Sequence, residues 1–120
     1  IISILDIHAN GKPFGGYTVY NMAKAAHQMM VQSLAIELAP DIRVNGIAPG
    51  INILPIEGSE QALTAETIDK ICRAVPLKRI GTPQDIAQVA VFLAAAPYIT
   101  GQIIAVDGGR GLTLAGNESR

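Results

Sequence analysis

Apolar positions in this chain fall into short unbroken runs and longer helical stripes, and the two kinds alternate. Ile1 to Leu5 is a β-branched run of the kind that forms a parallel strand buried on both faces. Asp6 ends it, and a loop at 9–16 follows, carrying three Gly and a Pro. From about Thr18 to Ala39 the spacing of Ala23, Ala26, Met30, Leu34 and Leu38 predicts a long helix that Pro40 stops. A helix with so few charges is expected to pack on two sides. Ile42 to Ile47 reads as a second strand, broken by Ala48-Pro49-Gly50.

Residues 51–63 read as an irregular connection. Thr64 is placed to cap a shorter helix from Ala65 to about Ala74. Thr82-Pro83-Gln84-Asp85 opens another, with a capping hydroxyl, Pro at the first helical position and an acid in the first turn. It should run to about Ala95. Gln102 to Val106 is a third strand, closed by Asp107-Gly108-Gly109, with no evident helix after it. The fold class is therefore α/β: three parallel strands, in spatial order one-two-three, joined by right-handed crossover helices. Three strands are few for a stable open sheet, so the first strand is expected to need a neighbour.

Composition sharpens this. Of 120 residues, 49% are hydrophobic and only 16% charged, and mean hydropathy is +0.33. A small domain has much surface for its volume and needs polar cover. Much of this surface is thus expected to lie under more chain or partner subunits. A net charge of −1 argues against a nucleic-acid partner and gives no basic stripe for a membrane surface. The longest apolar run, Val89 to Ala96, is well under the ~20 residues of a membrane span. Cys72 is the only cysteine, which excludes an internal disulfide or a cysteine-based zinc site and fits a cytoplasmic setting. The opening Ile-Ile-Ser-Ile-Leu lacks a basic leader and reads as a strand near the start of a piece of a longer protein.

The candidate chemistry begins with Tyr20 and Lys24. On a helix, residues at i and i+4 share a face, so the ammonium would favour the ionised phenol and make it a better proton relay. Alone, such a pair is more often ordinary packing. Its position matters, because open α/β sheets bind ligands beyond the carboxyl ends of their strands. Asp6 marks one such end and Pro49-Gly50 another, so Asp6, Tyr20, Pro49 and Gly50 are expected to line one cleft. By itself, Asp6 is equally readable as a strand-end residue capping a loop.

Four stretches together resemble the short-chain dehydrogenase/reductase family: YNMAK at 20–24, LAIELAPDIRVNGIAPG at 34–50, PLKRIGTPQDIAQVAVFLA at 76–94 and ITGQIIAVDGG at 99–109. They span nearly the whole chain in the family's order. The resemblance is to the C-terminal half of a doubly wound, Rossmann-like sheet, and implies that 1–120 is the later part of a single dinucleotide-binding reductase domain. It implies that Tyr20 donates the proton and that Lys24 holds the ribose hydroxyls of a nicotinamide cofactor and lowers the Tyr20 pKa. Pro49, Gly50, Ile51 and Asn52 would pass close to the nicotinamide, with Gly50 permitting close approach. Most members carry Ser where this chain has Asp6. Asp there, followed by a loop and GYTVY at 16–20, is similar to the pteridine reductases, where a carboxylate suits the nitrogen edge of a pterin. The segment from Asp6 to Tyr20 is one residue longer than the family pattern. Many members have a cofactor-binding Thr where Leu54 stands. Asn52 is read as supplying a polar contact instead, and Leu54 is either a wall against a flat substrate or an ordinary packed loop residue.

Other candidates read more plainly. His8 and His27 lack a metal-ligand pattern, and no metal is expected. Tyr17 lacks Lys at i+4 and is assigned to packing or the rim of the site. Cys72 is assigned no chemistry. No Gly-rich strand-to-helix turn occurs, so the adenine side of a dinucleotide site and a reader of a 2′-phosphate are missing. NADPH is what the resemblance implies, with NADH open. The leading expectation is reduction of a dihydropterin or related pteridine by a cytoplasmic homo-oligomer, a homotetramer in the family pattern. The alternatives are reduction of a 3-oxoacyl thioester or other carbonyl, and a catalytically silent fragment acting as an assembly surface.

Overall fold

The computed structural model describes residues 1–9, 11–52 and 62–114. Three strands, β1 (Ile2–Ile4), β2 (Asn45–Pro49) and β3 (Ile103–Val106), form one sheet in the order β1-β2-β3. Both pairings are parallel, with Ser3 opposite Gly46 and Ile47 opposite Ile104. A 3₁₀ turn at Ile7–Ala9 follows β1, and the helices are α1 (Thr18–Leu38), α2 (Ala65–Ala74), α3 (Pro83–Ala95) and α4 (Arg110–Thr113). The expected strand order, the helix bounds and both threonine caps agree with this arrangement. Thr64 Oγ1 accepts from Thr67 N, and Thr82 and Asp85 form a reciprocal capping box.

The sheet carries helices on both faces. Against one face, Val31 and Ala35 of α1 pack with Leu5, Ile7, Val44, Ala48 and Leu114. Ile47 of β2 and Leu93 of α3 are fully buried outside that cluster, and α3 packs against β1 and β2. Arg43 ties the last turn of α3 to the sheet by donating from its guanidinium to the Leu93 and Ala94 carbonyls at 2.7 and 2.8 Å. Such a bond satisfies carbonyls that have no partner inside the helix.

Four local expectations are corrected. The second strand is shifted toward its C-terminus, to Asn45–Pro49 instead of 42–47. Val44 gives its N–H to the Thr100 hydroxyl at 3.1 Å, so regular pairing starts one residue later. Pro49 is tolerated because it stands at the strand's end. The inward stripe of α1 is Val31 and Ala35, with Leu34 and Leu38 beside it, while Ala23, Ala26 and Met30 are exposed. The second face of α1 is therefore open among the described residues. β1 is likewise not buried on both faces, since Ile4 is 47% exposed. Last, a short helix does follow Asp107-Gly108-Gly109. Gly108 and Gly109 have φ of 63° and 89°, a left-handed geometry that glycine adopts without strain, and they turn the chain into α4.

Candidate active site

The sheet delivers the ends of β1 and β2 to one side, and α1 starts beside them. Asp6 stands just past β1, where one carboxylate oxygen has a structural task. Its Oδ1 accepts the His8 N–H at 2.8 Å and so shapes the 3₁₀ turn. The other oxygen, Oδ2, accepts the Tyr20 hydroxyl at 2.5 Å. That is the length expected of an O–H donor on a carboxylate. One carboxylate oxygen of Asp6 thus shapes the turn and the other meets Tyr20.

Tyr20 is set by α1 and by the loop before it. Asn21 clamps that loop, accepting from Phe14 N at 3.2 Å and donating to Phe14 O at 3.0 Å. Phe14 stacks on Tyr17 with ring centroids 4.4 Å apart, and Tyr17 meets Tyr20 edge-on at 6.3 Å. Tyr17 is thus a wall residue, as expected from its lack of a lysine partner. Asp6, Tyr20, Gly50 and Ile51 line one cleft of about 220 Å³.

Lys24 lies alongside, its Nζ donating to the Ile4 carbonyl at 3.1 Å and sitting 6.0 Å from the centre of the Tyr20 ring. This corrects the expected electrostatics. The Tyr20 phenol is raised above its ordinary range, first by burial and then by the hydrogen bond to Asp6 and its negative charge. The Tyr20 proton is held against Asp6.

The end of β2 is built by packing as much as by access. A Cβ on Gly50 would stand 2.7 Å from Asp107 Cβ. The glycine that was expected to admit a cofactor is already required by its neighbour in the sheet. Pro49 ends β2 beside it. Asn52 is turned into an adjoining cavity of about 440 Å³ that it shares with Ile51, Arg79 and Asp107. Its Oδ1 is buried and has no hydrogen-bond partner among the described residues. Leu54 lies outside the described residues.

Sequence reasoning missed Arg110, which follows the glycine turn and lines the cleft of Asp6 and Tyr20. The signal was the left-handed potential of Gly108-Gly109, which sends the next residue back across the sheet end. Asp107 itself is a turn residue, as expected: its two carboxylate oxygens accept Gly109 N at 2.9 Å and Gly111 N at 2.7 Å. Among the described residues no group of His, Cys, Asp and Glu gathers as a metal-ligand set.

Comparison with known proteins agrees with this fold. Residues 1–110 match the family model described as enoyl-(acyl carrier protein) reductase. The chain is 39% identical to pteridine reductase 1 of Leishmania tarentolae, over 96% of this chain and 39% of that protein. It is 38% identical to a 7alpha-hydroxysteroid dehydrogenase of Escherichia coli, over 91% of this chain and 43% of that protein. A solved SCOR enzyme in apo form from Clostridium thermocellum superposes with a TM-score of 0.78 at 33% identity, over 93% of this chain and 42% of that one. The chain thus spans about two fifths of the length of these relatives.

Proposed function

Because this chain belongs to the short-chain dehydrogenase/reductase family, we propose that the whole protein is a nicotinamide-dependent reductase whose substrate is a dihydropterin or related pteridine. The observation that carries this is the 2.5 Å bond from the Tyr20 hydroxyl to Asp6. A carboxylate beside the proton donor disfavours a developing oxyanion and favours a substrate that offers N–H groups or takes up its proton on nitrogen. The similarity to a pteridine reductase supports the same choice.

The residues present fit a nicotinamide cofactor. Tyr20 and Lys24 provide the hydroxyl and ammonium that would hold ribose hydroxyls. Asn52 Oδ1, which has no partner among the described residues, and the backbone from Pro49 to Ile51 would hold the carboxamide, whose N–H groups suit such an acceptor. A reduced nicotinamide bound here would supply hydride for the carbon of a C=N bond. Tyr20 holds the matching proton for the nitrogen at its hydroxyl, against Asp6. Asp6 orients the phenol and accepts an N–H of the substrate, and Tyr17 and Phe14 line the cleft beside it. NADPH is the cofactor proposed.

The proposed enzyme works as a cytoplasmic homo-oligomer. The open apolar positions of α1, such as Val19 at 79% and Ile36 at 81% exposure, support a covered surface there. No helix among the described residues is long and apolar enough to cross a membrane. A carbonyl substrate, such as a 3-oxoacyl thioester, is the second reading, and similarity to a putative ketoacyl reductase of Streptomyces violaceoruber, 33% identical over 91% of this chain, supports it. Turnover assays on the full-length protein with NADPH separate the two. Dihydropterin reduction is the expected result, and reduction of 3-oxoacyl thioesters with no pterin activity overturns it.

A further inference from the structure

Arg110 combines three features that no role so far absorbs. It lines the cleft that contains Asp6 and Tyr20. Its Nε is shut off from solvent and has no hydrogen-bond partner among the described residues. It also makes no ion pair with Asp6 there, although both line the same cleft. A guanidinium N–H kept from water without an acceptor is costly, and the Nη end of the same group, which has no hydrogen-bond partner among the described residues, is what remains to meet a ligand in the cleft.

The backbone holding it is unusually well fixed for so short an element. Arg110 N donates to Asp107 O at 3.1 Å, and the Asp107 carboxylate binds the N–H groups of Gly109 and Gly111 on either side. Lys12, from the loop before α1, donates to the Gly111 carbonyl. The loop that shapes the Tyr20 side of the cleft is therefore tied directly to the turn that carries Arg110. A recognition side chain needs such support to act with precision.

We propose that Arg110 is a substrate-recognising residue, donating to a carbonyl or carboxylate oxygen of the substrate while Asp6 accepts an N–H from it. Together they select a substrate class: molecules that offer both an N–H donor and an oxygen acceptor, as the amide edge of a heterocycle does. A simple ketone meets only half of this demand. The identity of the ring rests on the pteridine reading, whereas the role of Arg110 does not.

The test uses the full-length protein with Arg110→Met and Arg110→Lys. KM and kcat are measured for a dihydropterin and for an analogue lacking the ring carbonyl, and NADPH affinity is measured separately by nicotinamide fluorescence. Losing a charged hydrogen bond predicts that Arg110→Met raises KM for the carbonyl-bearing substrate about tenfold or more. Arg110→Lys keeps the charge but lacks the planar fork of the guanidinium, so it should recover only part of that loss. NADPH affinity and the KM for the analogue should stay within about twofold of wild type, which is the expected scatter of a neutral surface change. Unchanged KM in both variants overturns the proposal, and so does a parallel loss of NADPH affinity. If Arg110→Met does not fold, the Arg110→Lys comparison decides. If the wild type reduces no pterin, the pteridine reading fails, and Arg110 is judged by the same KM comparison on the substrate that is reduced.

Discussion

Gly50 lies so close to Asp107 that a β-carbon there would stand 2.7 Å from Asp107 Cβ and 2.9 Å from its Cα. The end of β2 is thereby coupled to the turn that launches Arg110. Gly50→Ala is expected to force that turn aside and destabilise the protein by about 1–3 kcal/mol, as overpacking does. Denaturant unfolding of the full-length protein measures this. An unchanged midpoint would mean that the Asp107 turn yields freely.

The start of α3 offers a test independent of the site. Thr82 Oγ1 accepts from Asp85 N at 3.3 Å, and Asp85 Oδ2 accepts from Thr82 N at 2.8 Å. Thr82→Ala should lower stability by about 0.5–2 kcal/mol, the usual cost of a lost cap. The Arg79 guanidinium, then the Thr82 N–H, hold the Asp85 carboxyl well below the usual carboxylate range. A depressed folded pKa contributes stability above the unfolded value of ~3.9, which is lost as pH falls below it. Asp85→Asn should therefore flatten the acid limb of a plot of melting temperature against pH. A limb of unaltered steepness would remove Asp85 from the acid response.

Among the described residues Lys24 donates to one partner, the Ile4 carbonyl at 3.1 Å, which uses one of its three N–H donors. Lys24→Met should weaken cofactor binding more than Tyr20→Phe, which removes one hydroxyl contact to the ribose and should cut turnover by about 10²- to 10⁴-fold, the usual cost of one acid/base group. Fluorescence titration with NADPH compares the two variants. Equal affinities would show that Lys24 does not reach the ribose.

Where the sequence was legible, local chemistry and global fold agreed. Thr64 and Thr82 announced their helices because a capping hydroxyl acts within four residues. The gathering of Asp6, Tyr20 and Gly50 was legible because parallel strands present their ends on one side. Features that depend on contacts between distant segments were not. The start of β2 is decided by the Thr100 hydroxyl on Val44 N, 56 positions away. The Tyr20 phenol responds more to burial and to Asp6 than to Lys24 one turn along the helix. Arg110 enters the cleft through a turn tied down by Lys12, 99 residues apart from its acceptor Gly111.

The raised Tyr20 phenol gives a prediction with a definite sign. Its folded pKa exceeds the unfolded value of ~10, so the stability linked to it is present below that pH and lost as pH rises above it. Asp6→Asn removes the carboxylate but not the burial, and the Tyr20 titration should move down without returning fully to the ordinary value. Ultraviolet phenolate titration, with Tyr20→Phe as the subtraction, isolates this one tyrosine. An identical titration in the wild type and in Asp6→Asn would show that Asp6 does not govern the phenol.

Asp6→Ser separates the two tasks of this carboxylate. Serine can still accept from His8 N–H or meet the Tyr20 hydroxyl, but it cannot do both with separate charged oxygens. Losing a charged hydrogen bond costs about 1.5–3 kcal/mol, so kcat/KM for a dihydropterin should fall about tenfold or more. A carbonyl substrate should gain relative to the pterin, because a hydroxyl no longer repels a developing oxyanion. Melting temperature and NADPH affinity provide the control, since the 3₁₀ turn after β1 also leans on Asp6. If the variant unfolds at lower temperature, Asp6→Asn, which keeps an acceptor for His8, replaces it in the kinetic comparison. Unaltered pterin turnover in a folded variant would leave Asp6 with its turn alone, and the pteridine reading would lose the residue on which it stands.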